Sequence, residues 1–586
     1  MRGMAVRFVL GRAGTGKTQH CMAAVDEWTR ERGVGAPVFL LVPSQATFTT
    51  ERKLACDNGA PARLNVRVVS FESLARELGA DQAGKELFVS ARGRRIVLAQ
   101  ILRENAANLQ YFHRTATQPH LAARLEAAMT EIQQELLTFD QIETVLLSGA
   151  GMHNSEIAAK LHDLRLITNE YEKYLGQDRI DPLRRLQQLE ARIHRSLLVK
   201  DALVLVDGFA GFTTIQIRLL IALAQHCERM DLFLLLDEDV SASPPQAVGE
   251  DMAVFARTRR TYARLLDAFR KQGIALGNPL VLHDVHRFKS AALKAIEAQW
   301  ESDHPVAAAA SGNDLMIVEA PDLEQEVHYA ARQIRQWQIE GVRLRDIGVL
   351  CRNLEPYYAA IGRTFSEHQI ACFIDRRRPL ASHPLVRYLN LVMQIVTQGW
   401  RQQAVVELLK TGLSGLDTAD ADFLENFALE HGIDKMAWIS DEPWQLTQSH
   451  AAEDEAPEDE RQANARAEVL RRRLTGSIRT FVTRLHQLRS MHDQVRALYD
   501  LLCCPEHNIR AMLGAWSKRE QDTGNLERAQ EHQQAWKQVM ELLDDAVQLL
   551  GDVEAAGGHF AQTIEAGLED LDLALTPPTL DQVMAV

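Results

Sequence analysis

No stretch of this 586-residue sequence approaches the roughly 18 consecutive apolar residues that a membrane-spanning helix needs. Its first residues, MRGMAVRFVLGRAG, have neither the apolar core nor the cleavage site of a secretory leader. A cytoplasmic chain with no membrane partner is therefore expected. Cysteine is sparse: the seven are Cys21, Cys56, Cys227, Cys351, Cys372, Cys503 and Cys504. None forms a C-x-x-C pair, and the adjacent Cys503 and Cys504 are poorly spaced for zinc, so free thiols in a reducing compartment are expected. Positive charge is in deficit. The formal charge of −14 disfavours a surface that coats itself in nucleic acid, while leaving room for a local basic groove. No short-period repeat of the solenoid kind occurs.

What is present is an ordinary globular composition, 46% hydrophobic and 25% charged, in a chain too long for one core. Residues 5–10 (AVRFVL), 36–45 (APVFLLVPSQ) and 64–78 (LNVRVVSFESLAREL) alternate with helical patterns, as in a parallel α/β sheet. Residues 84–199 show i, i+3, i+4 apolar spacing and few breakers, which reads as a helical insertion. Strand signals return at 201–209 (DALVLVDGF) and 230–239 (MDLFLLLDED), so 1–83 and 200–300 form one α/β domain. A second α/β segment is expected over 314–390, with a helical insertion over 391–586. The acidic stretch at 450–465 reads as a solvated linker. The run LALTPPTLDQVMAV reads as a chain cut at the beginning of a strand.

Gly11, Arg12, Ala13, Gly14, Thr15, Gly16, Lys17 and Thr18 fit G-x-x-x-x-G-K-[ST] in full, between a strand and a helix. Glycines let the backbone present N–H groups to phosphate oxygens. Lys17 is placed for the β- and γ-phosphates, and the Thr18 hydroxyl for Mg²⁺. ATP and Mg²⁺ are the expected ligands. A nucleoside triphosphatase also needs an acidic residue at the end of a neighbouring strand, and a following Glu to orient water. Two positions qualify on local pattern: Asp207, followed by Gly208, and Asp237, followed by Glu238.

The segments FVLGRAGTGKT, LLVPSQATFTTE and RVVSFESLARELG resemble, in order and spacing, the opening of the AddB family, components of a bacterial ATP-dependent helicase/nuclease. That family is related to superfamily 1 helicases of the UvrD and RecBCD kind. The resemblance implies two RecA-like parallel-sheet domains with large all-helical insertions, truncated here at the C-terminus. It also implies that DGFAGFTTIQ (207–216) stands in the frame of D-E-F-Q-D-T-N-x-x-Q, which makes Asp207 the Mg²⁺-associated residue and leaves Gly208 where the catalytic Glu belongs. Glu238 remains the alternative base. By the same resemblance Arg352 contacts nucleotide phosphates, and Gln45, Thr47, Ser70 and Phe71 lie near DNA, with Glu72 repelling phosphate. The adenine-reading Gln of active helicases has no room ahead of Gly11. The family's C-terminal nuclease and the cysteine ligands of its 4Fe-4S cluster would lie beyond Val586.

The implied function is an ATP-binding, DNA-binding subunit that processes double-strand breaks beside an AddA-like partner, engaging single strands and duplex ends. With Gly208 at the water-orienting position, it is expected to be a degenerate motor without nuclease or helicase activity of its own. Two alternatives stay open: an active single-chain translocase using Asp237 and Glu238, and a nucleotide-binding scaffold with no DNA role.

Overall fold

In the computed structural model the described residues are 6–33, 35–56, 65–79, 86–149, 155–236, 254–300, 314–374, 378–444, 458–551, 553–554, 556–569, 571–573 and 581–586. The chain divides into two compact units. The first comprises Met1–Phe88, Ala128–His153 and Tyr174–Ile317; the second comprises Val89–Ala127, Asn154–Lys173 and Val318–Val586.

The first unit is built on a parallel sheet. Its strands are β1 (Val6–Gly11), β2 (Val38–Leu41), β3 (Val66–Val69), β6 (Leu203–Val206), β7 (Arg229–Leu235) and β8 (Leu280–Leu282), in the order β3-β2-β6-β7-β1-β8. A separate parallel pair joins β4 (Leu87–Phe88) to β5 (Arg179–Ile180). All residues of β2 and β6 are buried, so both faces of the sheet are covered, and VFLL and LVLV read as unbroken apolar runs. Alternation along β1 sends Phe8 and Leu10 to one core and Val9 to the other. The second core is closed by helix α1 (Lys17–Arg32) through Cys21, Ala24, Val25 and Trp28, one stripe at helical spacing.

Register decides where the site lies. Leu41 is level with Val69 and Val206, Val206 with Leu232, and Gly11 with Leu235. The loops after β1, β2, β3 and β6 therefore leave from one edge of the sheet. A charge is embedded in that sheet: Asp231 on β7 is 0% exposed and receives the guanidinium groups of both Arg7 (3.2 and 2.8 Å) and Arg229 (3.3 and 2.7 Å).

The second unit holds a three-stranded parallel sheet of β9 (Gly348–Val349), β10 (Cys372–Ile374) and β13 (Val583–Ala585), in the order β10-β13-β9. A short antiparallel pair joins β11 (Arg378–Pro379) to β12 (Asp572–Leu573). Helices Leu323–Ile339 and Tyr358–Glu367 cover the three-stranded sheet through Ala331, Ile334, Ile361 and Phe365. The remainder is helical. Its interior holds polar contacts between side chains: His383 Nε2 lies 3.0 Å from His532 Nδ1, and the Tyr388 hydroxyl lies 2.9 Å from His507 Nδ1.

Residues 314–320 form no strand, and Ile317 is 91% exposed. Residues 458–465 are not linker. They open the helix Glu458–Gln487, where Glu458, Asp459 and Glu460 sit in the first turn and complement its positive dipole end. Residues 450–457 lie outside the described ones.

Candidate functional site

The phosphate-loop segment leaves β1 at Gly11 and enters α1 at Lys17. Gly14 and Gly16 have φ of +79° and +84°, left-handed values that suit glycine. A Cβ at Gly14 would also lie 2.8 Å from Arg287 Cβ. The Thr15 hydroxyl donates to the Arg12 carbonyl at 3.0 Å and sets the turn. No side chain caps α1 and no acid occupies its first turn, so the dipole end and its free N–H groups face the loop.

Lys17 Nζ donates to the Gly11 and Arg12 carbonyls, both at 2.8 Å. Burial pushes its ammonium down to about 8, against a smaller upward pull from the Asp207 carboxylate. The Thr18 hydroxyl donates to Asp207 Oδ2 at 3.0 Å. Asp207 follows β6, two strands from β1, and its carboxylate meets the first turn of α1. Its other oxygen, Oδ1, accepts from the Gly208 amide at 2.9 Å. Gly208 has φ +84°, and a Cβ there would sit 3.3 Å from Pro43 Cδ. The position after Asp207 is thus shaped for glycine.

One hydroxyl and one carboxylate suit Mg²⁺, which binds through one or two protein oxygens and fills its octahedron with water and phosphate. Among the described residues no group of three or more His, Cys, Asp or Glu is arranged to hold a metal on its own. The donor set here therefore fits a cation that arrives with a nucleotide.

The structure adds residues that sequence reading missed. The segment after β8 crosses the loop: the amides of His286 and Arg287 donate to the Gly14 carbonyl at 2.9 and 3.3 Å. Arg287 depresses Lys17 through its charge, which places a second cation at the loop. Arg12 is held by Glu297 Oε1 at 2.8 Å, and its guanidinium lies 5.3 Å from the Phe255 ring. The signal in the sequence was the basic cluster HRFK soon after an apolar strand.

The expected DNA-side residues separate by burial. Gln45 is exposed, and the Thr47 hydroxyl donates to the Ser44 carbonyl at 2.9 Å. Between the loops, Glu72 Oε2 accepts from Ser44 Oγ at 3.1 Å and from Ser70 Oγ at 2.7 Å, tying the loop after β2 to the loop after β3. Ser70 caps the helix Phe71–Glu77 in a reciprocal pair with Ser73. Phe71 is 2% exposed and packs edge-on against Phe209 and Phe212. Phe48, which sequence reading passed over, is 63% exposed beside Thr47. Arg352 is exposed in the second unit, just after β9. Asp237 and Glu238 lie outside the described residues.

A parallel α/β sheet with a phosphate-loop motif between its β1 and α1, and an acid two strands away, defines the class: a phosphate-loop nucleotide-binding fold. Comparison with known proteins narrows this. The model of the family described as "ADDB, N-terminal" matches residues 8–297, and that described as "UvrD-like helicase C-terminal domain" matches residues 280–556. The chain is similar to the B component of the ATP-dependent helicase/deoxyribonuclease of Desulforudis audaxviator, 35% identical over 596 residues, covering 99% of this chain and 50% of the relative. The proteins of the same name from Symbiobacterium thermophilum (33%; 99% and 50%) and Heliobacterium modesticaldum (34%; 99% and 48%) are similar to the same extent. The chain spans about half the length of the curated relatives it matches. No helix among the described residues is long and apolar enough to cross a membrane.

Proposed function

We propose that this chain is the N-terminal half of an AddB-type protein: a nucleotide-holding, DNA-binding part of a helicase/nuclease that processes double-strand breaks for recombinational repair. It works beside an AddA-like partner that supplies most of the motor activity. The observation that carries the reading is the Thr18–Asp207 contact of 3.0 Å together with the left-handed glycine at 208. The first supports a Mg-nucleotide site. The second argues against a water-orienting carboxylate beside it, so ATP is held and turned over slowly or not at all.

In this reading residues 1–83 and 200–300 are a first RecA-like domain, and a second begins over 314–390. Loop amides and Lys17 bind the phosphates; Thr18 and Asp207 hold Mg²⁺, which screens phosphate charge when bound. Gln45 and Thr47 are direct DNA contacts, while Ser70 and Phe71 hold their loops from beneath. Arg352 is assigned to phosphate by family resemblance alone.

Equilibrium binding of a fluorescent ATP analogue with Mg²⁺ tests the site. Lys17→Ala should weaken binding roughly 30- to 100-fold, the cost of a lost charge-assisted contact. Duplex unwinding by the 586-residue chain would overturn the degenerate-motor reading. DNA-stimulated hydrolysis lost in Glu238→Gln but kept in Asp207→Asn would favour a translocase that uses Asp237 and Glu238.

A further inference from the structure

Away from the phosphate loop, one stretch of the otherwise acidic second unit is locally basic. Residues 469–492 carry six arginines and no acidic residue, within a chain of net charge −14. Side chains at about four-residue intervals on helix Glu458–Gln487 form one wall of a groove of 360 Å³: Arg472 and Arg473, Gly476 and Ser477, Thr480, then Arg484. Helix Met491–Cys503 and the turn after it form the other wall, with Asp500 and Glu506.

Some of this charge is already engaged. Arg472 pairs with Glu468, and Arg484 with Asp500 at 3.2 Å. Arg473 is exposed and has no ion-pair partner among the described residues. One feature points to a polar ligand, and a second shows that the wall is open to its approach. The Ser477 hydroxyl is buried in the wall with no hydrogen-bond partner, an arrangement costly unless a ligand completes it. A Cβ built on Gly476 meets nothing within 4 Å, so the helix backbone is open to close approach. The apolar lining residues Phe481 and Leu501 are themselves buried, so the groove offers charge but no apolar anchor for a peptide.

We infer that this groove binds the phosphodiester backbone of a DNA strand. Arg473 supplies the uncommitted cation, Arg484 exchanges Asp500 for a phosphate oxygen, and the Ser477 hydroxyl turns out of the wall to donate to the same phosphate. The inference rests on the reading of this chain as a DNA-binding protein. It places a contact in the second unit, on residues separate from the nucleotide site.

The test is fluorescence anisotropy of the full chain with a labelled single-stranded oligonucleotide and its duplex, across a salt series. Arg473→Ala and Ser477→Ala are compared with wild type, with thermal midpoints and ATP-analogue binding as controls for folding. The expected result for Arg473→Ala is a roughly 3- to 10-fold loss of affinity and a salt slope smaller by about 1, with nucleotide binding unchanged. Unchanged affinity and slope, with wild type binding DNA, would overturn the groove and leave the wider reading standing. Absence of DNA binding by wild type would overturn the DNA reading itself. Saturable binding of inorganic phosphate that is lost in Arg473→Ala, with oligonucleotide binding intact, would assign the groove to a free anion and also overturn the inference.

Discussion

Lys17 carries the most informative perturbation in the nucleotide site. In the free protein burial holds it at about 8. A triphosphate placed against its ammonium raises that value again. Below pH 8 the lysine is already charged and binding takes up no proton there. Above pH 8 each nucleotide bound must bring a proton to Lys17, so affinity should fall by up to about tenfold per pH unit. Calorimetry at pH 8.5 in two buffers of different ionisation enthalpy should register uptake of a fraction of a proton, absent at pH 6.5 and absent in Lys17→Ala. Gly208 supports a second expectation. Gly208→Glu should not restore hydrolysis, and should destabilise the first unit by about 1 kcal/mol or more, because a side chain there meets both a left-handed backbone and Pro43. ATP turnover and thermal midpoint together check it. Residues also mark where sequence reading stops. Thr18 and Asp207 are 189 positions apart, and only the fold brings them within 3.0 Å. Glu72 was expected to repel phosphate, but a sequence does not reveal that Ser44 and Ser70 both donate to it.

Elements show the same division. The strand–loop–helix of β1 and α1 was legible because its motif is local and its glycines have a backbone reason. The segment after β8 was not, since its contact with Gly14 joins residues 272 and 273 positions apart. Within the large sheet, Asp231 belongs to β7 and its partners Arg7 and Arg229 to β1 and β7. Removing the buried carboxylate leaves two adjacent guanidinium groups unpaired, so Asp231→Ala should cost about 3 kcal/mol or more. Chemical denaturation, followed by a probe in the first unit, should show a lower midpoint with the slope unchanged.

Across the whole molecule, acid should act first on the second unit. Burial holds His383 and His507 at about 4, below the ordinary value of 6.5. For such groups the unfolded chain binds more protons between the two values, so their contribution is fully present above pH 6.5 and is lost as pH falls toward 4. Each is worth on the order of 3 kcal/mol over that window. Thermal midpoints should therefore drop between pH 6.5 and 4. His507→Phe should flatten the drop, and a profile unchanged by that substitution would remove His507 as a cause.

The small sheet of the second unit has a consequence in time. Its outer strands, β9 and β10, lie at 348–349 and 372–374, and the strand between them is β13 at 583–585. Roughly 200 residues must leave the ribosome before the middle strand exists, about 10 to 40 s at ordinary rates of synthesis. Throughout that interval two strand edges and the apolar surfaces of helices Leu323–Ile339 and Tyr358–Glu367 wait without the strand that joins them. Newly made chains should be most open to proteases and chaperones during this interval.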